Sequence, residues 1–330
     1  MKQTPTNKPL KQPIFIVGVG RSGTTLLQSM LHAHRQLAFT PETHFVRRYL
    51  ARRKMAALLR KKDGDMFLKL IHRDNDLNRL EFDLEDILTE LRRNGDLSLD
   101  SFYRGILERT REQKGATLVG DKDPKNIEYL PLIHHHFPDA FVIHIVRDPR
   151  AVTLSRMRAE WSSHRSFLSH VIIYNLQIHK GRDDGRALFG NHYYEIIYED
   201  LVTNPEAECR RLCQWLDIPY DPGMLDFSKT SHEIIKGREI KWKEDCFKPV
   251  QTANKDKWSG GLTRRQICAI ETMTAQWFDH FGYRKSGYLK DRTRLAALVH
   301  IILRLGMWKL NMAYRLFHWA RHTFNRMTEQ

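Results

Sequence analysis

Ile14-Phe15-Ile16-Val17-Gly18-Val19-Gly20-Arg21-Ser22-Gly23-Thr24-Thr25 is the stretch that decides how this chain folds. Its first four residues form a short β-branched and aromatic run, the composition of a buried strand. Gly18, Gly20 and Gly23 follow, and Thr24-Thr25-Leu26-Leu27 opens a helical pattern. A strand, a glycine turn and a helix start together aim backbone N–H groups at one point, which suits an anion. The loop of ATP and GTP enzymes reads G-x-x-x-x-G-K-[ST], with its lysine on the β- and γ-phosphates. Here Thr24 stands at the lysine position and Arg21 lies inside the loop. The stretch therefore predicts a phosphate cradle for a nucleotide other than a triphosphate. Gly18-x-Gly20-x-x-Gly23 also fits a dinucleotide turn, but no acidic residue closes a second strand about twenty residues on.

Working outward, residues 25–34 read as a helix, and a loop then carries Thr40-Pro41-Glu42-Thr43-His44. Residues 45–110 are rich in Arg, Lys, Asp, Glu and Leu at helical spacing, and read as a helical insertion on the substrate side. Residues 117–120 form a second strand that leads to Asp121-Lys122-Asp123-Pro124. Residues 141–146 form a third, ending at Arg147-Asp148-Pro149-Arg150, and residues 194–198 a fourth, ending at Glu199-Asp200. Helices are expected over 205–216 and 263–281. Strands alternating with helices predict an α/β fold, a parallel sheet flanked by helices. Ligands bind beyond the C-terminal strand ends of such sheets, and all four polar motifs fall there.

The 330 residues carry 54 Lys+Arg against 39 Asp+Glu, a net charge of +15. That balance favours acidic partners: anionic lipid, nucleic acid or a multiply phosphorylated cofactor. Cys209, Cys213, Cys246 and Cys268 lack zinc spacing and read as structural thiols of a reducing compartment. His134-His135-His136 would point apart on a helix, which argues against a metal tract, and Trp258 and Trp277 read as core. Residues 1–12 are polar and basic, without the apolar stretch of a signal peptide, so a cytoplasmic location is expected. Residues 291–330 alternate apolar runs with Arg294, Arg304, Lys309, Arg315 and Arg321. These runs are too short and charged to span a bilayer. They suit a basic amphipathic C-terminal helical appendage that packs on the domain, dimerises it, or touches the inner membrane face.

Arg21-Ser22-Gly23-Thr24-Thr25-Leu26, Arg147-Asp148-Pro149-Arg150 with Ser155, and Tyr198-Glu199-Asp200-Leu201 resemble the sulfotransferases that use 3′-phosphoadenosine-5′-phosphosulfate (PAPS). The resemblance spans residues 13–283, within an expected domain of residues 13–290. It implies a P-loop-like fold, PAPS as sulfuryl donor, no metal, and an acceptor hydroxyl of glycan, lipid-linked or tyrosyl origin. By the same resemblance Arg21, Ser22, Gly23, Thr24 and Thr25 wrap the 5′-phosphosulfate, Arg147 and Ser155 hold the 3′-phosphate, and Tyr198 approaches the adenine. Pro41-Glu42-Thr43 lies at the spacing of the catalytic glutamate of the tyrosylprotein group, which makes Glu42 the expected base. His44 is its rival, since other members use histidine. An ion pair of Glu42 with Arg21 is the structural alternative.

Lys122 is similar to that group's Lys-Asp-Pro lysine, expected to stabilise the leaving group, with a surface pair to Asp121 or Asp123 as the alternative. Lys248-Pro249-Val250 resembles a late segment that covers the cofactor, but Trp242 stands where that group has a serine. A P-loop kinase or GTPase, or a non-enzymatic binder of anionic surfaces, are the competing readings. The first is opposed by Thr24, and the second leaves the strand-end motifs, and hence their order, without a purpose; nucleic acid is disfavoured on the same ground.

Overall fold

The computed structural model describes residues 12–288 and, beyond them, 299, 301–303, 305–310, 312–314, 316–317 and 320. Five strands form one parallel sheet: β1 (Ile14–Gly18), β2 (Leu37–Phe39), β3 (Leu118–Lys122), β4 (Phe141–Val146) and β5 (Tyr193–Ile197). Their order is β2-β3-β1-β4-β5. β1 lies at the centre, with Phe15 opposite Asp121 on one side and Val142 on the other. Strand order reverses about β1, so its C-terminal end opens the crevice where α/β sheets bind ligands.

Every residue of β1 is buried, because successive side chains enter two different cores. Ile14 and Ile16 pack with Leu27, Met30, Leu212 and Phe227 on one face. Phe15 and Val17 pack with Phe45, Tyr103 and Phe137 on the other. A continuous apolar run is what a strand covered on both faces requires.

The helical block, expected as an insertion on the substrate side, builds much of the second core. Its helices are Arg53–Arg60, Asp65–Ile71, Leu84–Asn94 and Leu99–Lys114. Phe45 stacks on Tyr103 with ring centroids 4.7 Å apart, and Phe67 meets Phe102 edge-on at 5.2 Å. The helix Leu99–Lys114 starts where Ser98 Oγ accepts the Ser101 N–H and stops at Gly115, whose φ is 64°. Of this block Arg47, Arg48 and Asp76 reach the main cleft.

Several boundaries differ from the sequence reading. The loop before Glu42 begins as the short edge strand β2, which carries only three residues and so gives little alternation to detect. β3 runs on through Asp121 and Lys122, burying both inside the strand. The expected helix over 263–281 is two, Arg264–Met273 and Ala275–Phe281, broken at Thr274. There the Thr274 hydroxyl donates to the Ile270 carbonyl at 2.7 Å, a back-bond that disturbs the helical ladder.

Among the described C-terminal residues, Met307 is buried against Leu154 and Val171, whereas Ile301, Ile302, Leu305 and Trp308 stay exposed. No helix among the described residues is long and apolar enough to cross a membrane. Residues 1–11, 291–298, Arg304, Arg315 and Arg321 lie outside the described residues.

Because Phe102 is fully buried between the helical block and the sheet, Phe102→Ala should cost about 3–5 kcal/mol of stability. Equilibrium urea unfolding measures this. A loss below about 1 kcal/mol would make the block a separable appendage.

Candidate active site

β1 delivers the loop. A Cβ on Gly18 would lie 2.7 Å from the Ile145 carbonyl oxygen, so glycine lets β1 and β4 approach at the loop entrance. The Ser22 N–H donates to the Val19 carbonyl at 3.0 Å, closing a tight turn. Arg21 and Gly23 both have positive φ, 81° and 94°. An arginine rarely adopts that region, and such strain gathers at functional loops. Gly23 precedes helix α1 (Thr24–Ala33) and supplies no side-chain cap, which leaves the first-turn amides to whatever the cleft holds. A Cβ on Gly23 would lie 2.4 Å from the Tyr198 ring, so the loop packs flat against that tyrosine.

β4 and β5 supply the second cluster. Arg147 follows β4, and its guanidinium lies 4.1 Å from the centroid of the Tyr198 ring. It donates to the carbonyls of Arg21 at 3.1 Å and Asn254 at 2.7 Å, while its buried Nε has no partner among the described residues. Ser155, on the helix Pro149–Arg158, accepts from Arg21 Nε at 3.0 Å. That helix begins as the sequence predicts, with the Asp148 carboxylate accepting the Arg150 N–H at 2.8 Å and Pro149 in the first turn. Uncapped amides, an unspent guanidinium donor and a serine hydroxyl together fit a ligand bearing phosphate at two positions.

β2 and β3 supply the third. Glu42 follows β2, and its carboxylate accepts from the ammonium of Lys122, the last residue of β3. Lys243, from a turn region far along the chain, donates to the same carboxylate at 3.0 Å. Burial would raise the Glu42 pKa, but Lys122, Lys243 and His44 outweigh it and hold the group well below the usual carboxylate range. Lys122 is fully buried, and that burial lowers its pKa despite the attraction of Glu42. Lys243 also bonds Glu239 at 2.8 Å, and these two carboxylates overcome its burial and raise its pKa.

His44 adopts a φ of 56°. Its Nδ1 lies 2.8 Å from Asp123 Oδ2, and its Nε2 3.9 Å from Asp76. Its Nδ1 also lies 3.7 Å from Glu42 Oε1, so the imidazole sits among three carboxylates and its shortest contact is to Asp123. Glu42, His44 and Asp123 place ligand atoms within 4.8 Å of one another. However, Lys122 and Lys243 already neutralise Glu42, and Arg47 donates to Asp123 at 2.9 Å. A divalent cation would have to displace these cations, so the donor set does not suit a metal.

The three clusters line one cleft of about 1140 Å³. Twelve Lys or Arg against seven Asp or Glu line it, so it is electropositive. The structure brings Arg21, Gly23, Thr24, Thr25, Glu42, Lys122, Arg147, Ser155 and Tyr198 to this wall. Ser22 is wholly buried, and its hydroxyl has no partner among the described residues. Lys248 is exposed and does not line the cleft; Lys257 and Asn254 of the same late segment do. Glu42 pairs with Lys122 and Lys243, not with Arg21, and Lys122 is a buried group, not a surface one. Trp277 is core, whereas Trp258 lines the cleft under the Arg150 guanidinium at 3.7 Å. The sequence reading missed Lys243, Asn254 and Lys257: Lys243 ends the 3₁₀ turn Gly237–Trp242, Asn254 lies in the 3₁₀ turn Thr252–Lys255, and Lys257 precedes the four-residue helix Trp258–Gly261, all too short for periodicity.

A P-loop-like sheet with an anion loop, an arginine–serine pair and a carboxylate–lysine pair defines a class of group-transfer enzymes. A sequence profile of the sulfotransferase family matches residues 13–222. Protein-tyrosine sulfotransferase A of Caenorhabditis elegans is 26% identical over 280 residues, 82% of this chain and 67% of that protein. An uncharacterized protein of Aquifex aeolicus is 27% identical over 256 residues, 76% of this chain. Protein-tyrosine sulfotransferase of Drosophila melanogaster is 25% identical over 259 residues, again 76% of this chain. The chain spans only 31% and 47% of those two proteins. Among solved structures, the sulfotransferase domain of the Synechococcus olefin synthase superposes with a TM-score of 0.59 at 23% identity, covering 86% of this chain and 99% of that domain. This chain belongs to the sulfotransferase family, and its fold is the family's.

Glu42 is ionised in the folded state at pH values where the unfolded chain is protonated. Its stabilising contribution is complete above about pH 4.5 and is lost as pH falls through the depressed value. Lys243→Met should therefore move the acid-unfolding midpoint upward, whereas Lys243→Arg should leave it nearly in place. Circular dichroism along an acid titration reads the midpoint, and identical midpoints in all three proteins would contradict the pairing.

Proposed function

We propose that this chain moves a sulfuryl group from PAPS to the hydroxyl of an acceptor. One observation carries the reading: Glu42, held ionised between Lys122 and Lys243, shares an electropositive cleft with the Arg21 loop and the Arg147–Ser155 cluster. When bound, PAPS supplies an activated sulfuryl group and a phosphate leaving group. Arg147 and Ser155 would hold its 3′-phosphate, and the amides of Gly23, Thr24 and Thr25 with Arg21 its 5′ end. Tyr198 offers a ring face for the adenine.

Glu42 accepts the acceptor's proton as that oxygen attacks, a role for which an ionised carboxylate is ready at neutral pH. Two ammoniums make it a weak base, so Lys122 acts best by turning toward the departing phosphate oxygens, which frees Glu42 as charge moves. Lys243 then remains to hold the carboxylate in place. Kinship with proteins named for protein tyrosine supports a tyrosyl hydroxyl as acceptor, and a glycan or lipid-linked hydroxyl fits the same base. A kinase or GTPase reading is disfavoured by Thr24 at the Walker lysine position and by the basic character of the carboxylate's neighbours.

Arg147→Ala should weaken binding of adenosine 3′,5′-bisphosphate at least about tenfold, and Glu42→Gln should lower turnover at least about a hundredfold while sparing that affinity. Calorimetry and product assay separate the two. The acceptor class is read by incubating the enzyme and cell lysate with sulfur-labelled PAPS, then sorting label into lipid, glycan and protein fractions. Label incorporated equally by wild type and Glu42→Gln would refute the proposed base, and no label in any fraction would refute the transfer.

A second reading concerns residues 291–330. Exposed Ile301, Ile302, Leu305 and Trp308 beside a chain of net charge +15 favour peripheral contact with anionic lipid, at the inner face of a cytoplasmic membrane. Removing residues 291–330 should abolish co-sedimentation with phosphatidylglycerol vesicles and leave binding of adenosine 3′,5′-bisphosphate intact. A full-length chain that ignores the vesicles and sediments as a dimer would assign this face to a second copy.

A further inference from the structure

Arg156 is one of three arginines classed as buried among the described residues, and its surroundings differ from the other two. Arg150 pairs with Asp148 and Glu271, and Arg182 with Glu195. Arg156 is 5% exposed and has no carboxylate within ion-pair distance among the described residues. Its Nε donates to His170 Nδ1 at 3.4 Å, and its guanidinium lies 5.3 Å from the Trp161 ring centroid. Glu128, whose charge acts on it from a distance, accepts instead from Gln177 at 2.6 Å. A buried guanidinium without an anion is costly, and proteins retain one where a ligand pairs with it.

Arg156 faces the cleft, and its position says which part. Ser155 and Arg156 are helix neighbours, so their side chains diverge by about 100°. Ser155 turns to Arg21 and the second cluster; Arg156 turns to Trp161, His170 and Arg165. Its Nη1 would lie 3.4 Å from a Cβ on Gly20, the residue before Arg21. Arg165, exposed, also lines the cleft, and its charge acts on Arg156. His170 is fully buried, and its burial together with Arg156, Arg165 and His164 lowers its pKa to about 4. It therefore accepts from Arg156 as a neutral ring and brings no negative charge to the cation.

Resting on the sulfotransferase reading, we propose that Arg156, with Arg165 beside it and Trp161 as a wall, binds an oxyanion carried by the acceptor itself. The acceptor would bear a carboxylate or phosphate in addition to the hydroxyl that meets Glu42. Arg supplies the planar, permanently charged fork that such groups match. Trp161 is half exposed and offers the adjoining part of the acceptor a ring face.

The test uses the full chain saturated with adenosine 3′,5′-bisphosphate and two matched pairs of probes. One pair is 4-hydroxyphenylacetate and its amide; the other is 4-hydroxyphenyl phosphate and 4-methoxyphenol. Calorimetry should show the anionic member binding at least about tenfold more tightly in one or both pairs. Whichever anion is favoured identifies the group. Arg156→Gln should reduce the preference to within about twofold, and Arg165→Gln, at an exposed position, should reduce it partly. Both variants should keep the affinity for adenosine 3′,5′-bisphosphate. Equal affinities within each wild-type pair, absence of binding by all four probes, or a preference that survives both substitutions would overturn the proposal. A loss of bisphosphate affinity in Arg156→Gln would also overturn it, by assigning the arginine to the cofactor. Failure of the wild type to bind adenosine 3′,5′-bisphosphate at all would strike the sulfotransferase reading instead.

Discussion

A carboxylate held between two ammoniums is the constraint around which this molecule is arranged. Lys122 is wholly enclosed and Glu42 nearly so, and neither charge could stay there alone. The pairing dictates that β2 and β3 be neighbours, since one ends just before Glu42 and the other at Lys122. It also recruits Lys243 across 201 residues of sequence and, through Glu239, the Arg79 guanidinium at 3.0 Å. Arg79 returns to the Glu42 carbonyl at 2.6 Å, which fixes the backbone of Glu42 as well as its side chain. The result is a cluster of alternating charges in which every member has a partner, and a Glu42 carboxylate that is ionised and fixed in position.

The sheet topology turns that cluster into a site. Placing β1 between β3 and β4 sets the anion loop beside Lys122 on one flank and Arg147 on the other. The positive φ values of Arg21 and His44 fall in two loops that both line the cleft. Strain at those two positions is kept because buried neighbours over-determine the backbone on both sides. The same sheet explains why the helical block matters to function without touching much of the cleft: it holds the face of β1 that the loop extends.

Legibility in the sequence followed periodicity and local chemistry. The central strands β1 and β4 were readable because burial on both faces demands uninterrupted apolar residues. Asp148-Pro149 announced a helix start, and Gly18, Gly20 and Gly23 announced the loop. β2 was not readable, because three residues at an edge carry no pattern, and with it went the reason Glu42 sits where it does. Lys122 looked like a loop residue because Asp121-Lys122-Asp123 is polar; only pairing with Glu42 makes it tolerable inside a strand. Lys243, Asn254 and Lys257 come from a region of short turns whose course is set by tertiary packing. Arg156 lay one residue from Ser155, hidden because an unpaired charge is a property of surroundings and not of a motif.

Discrimination between adenine nucleotides tests the central claim most directly. If the cleft is built for a nucleotide with separate 3′ and 5′ anions, adenosine 3′,5′-bisphosphate should bind the wild-type chain one to one, without magnesium, and ATP with magnesium should fail to displace it. Tighter binding of ATP with magnesium than of the bisphosphate would contradict the account and return the loop to the nucleoside triphosphate enzymes.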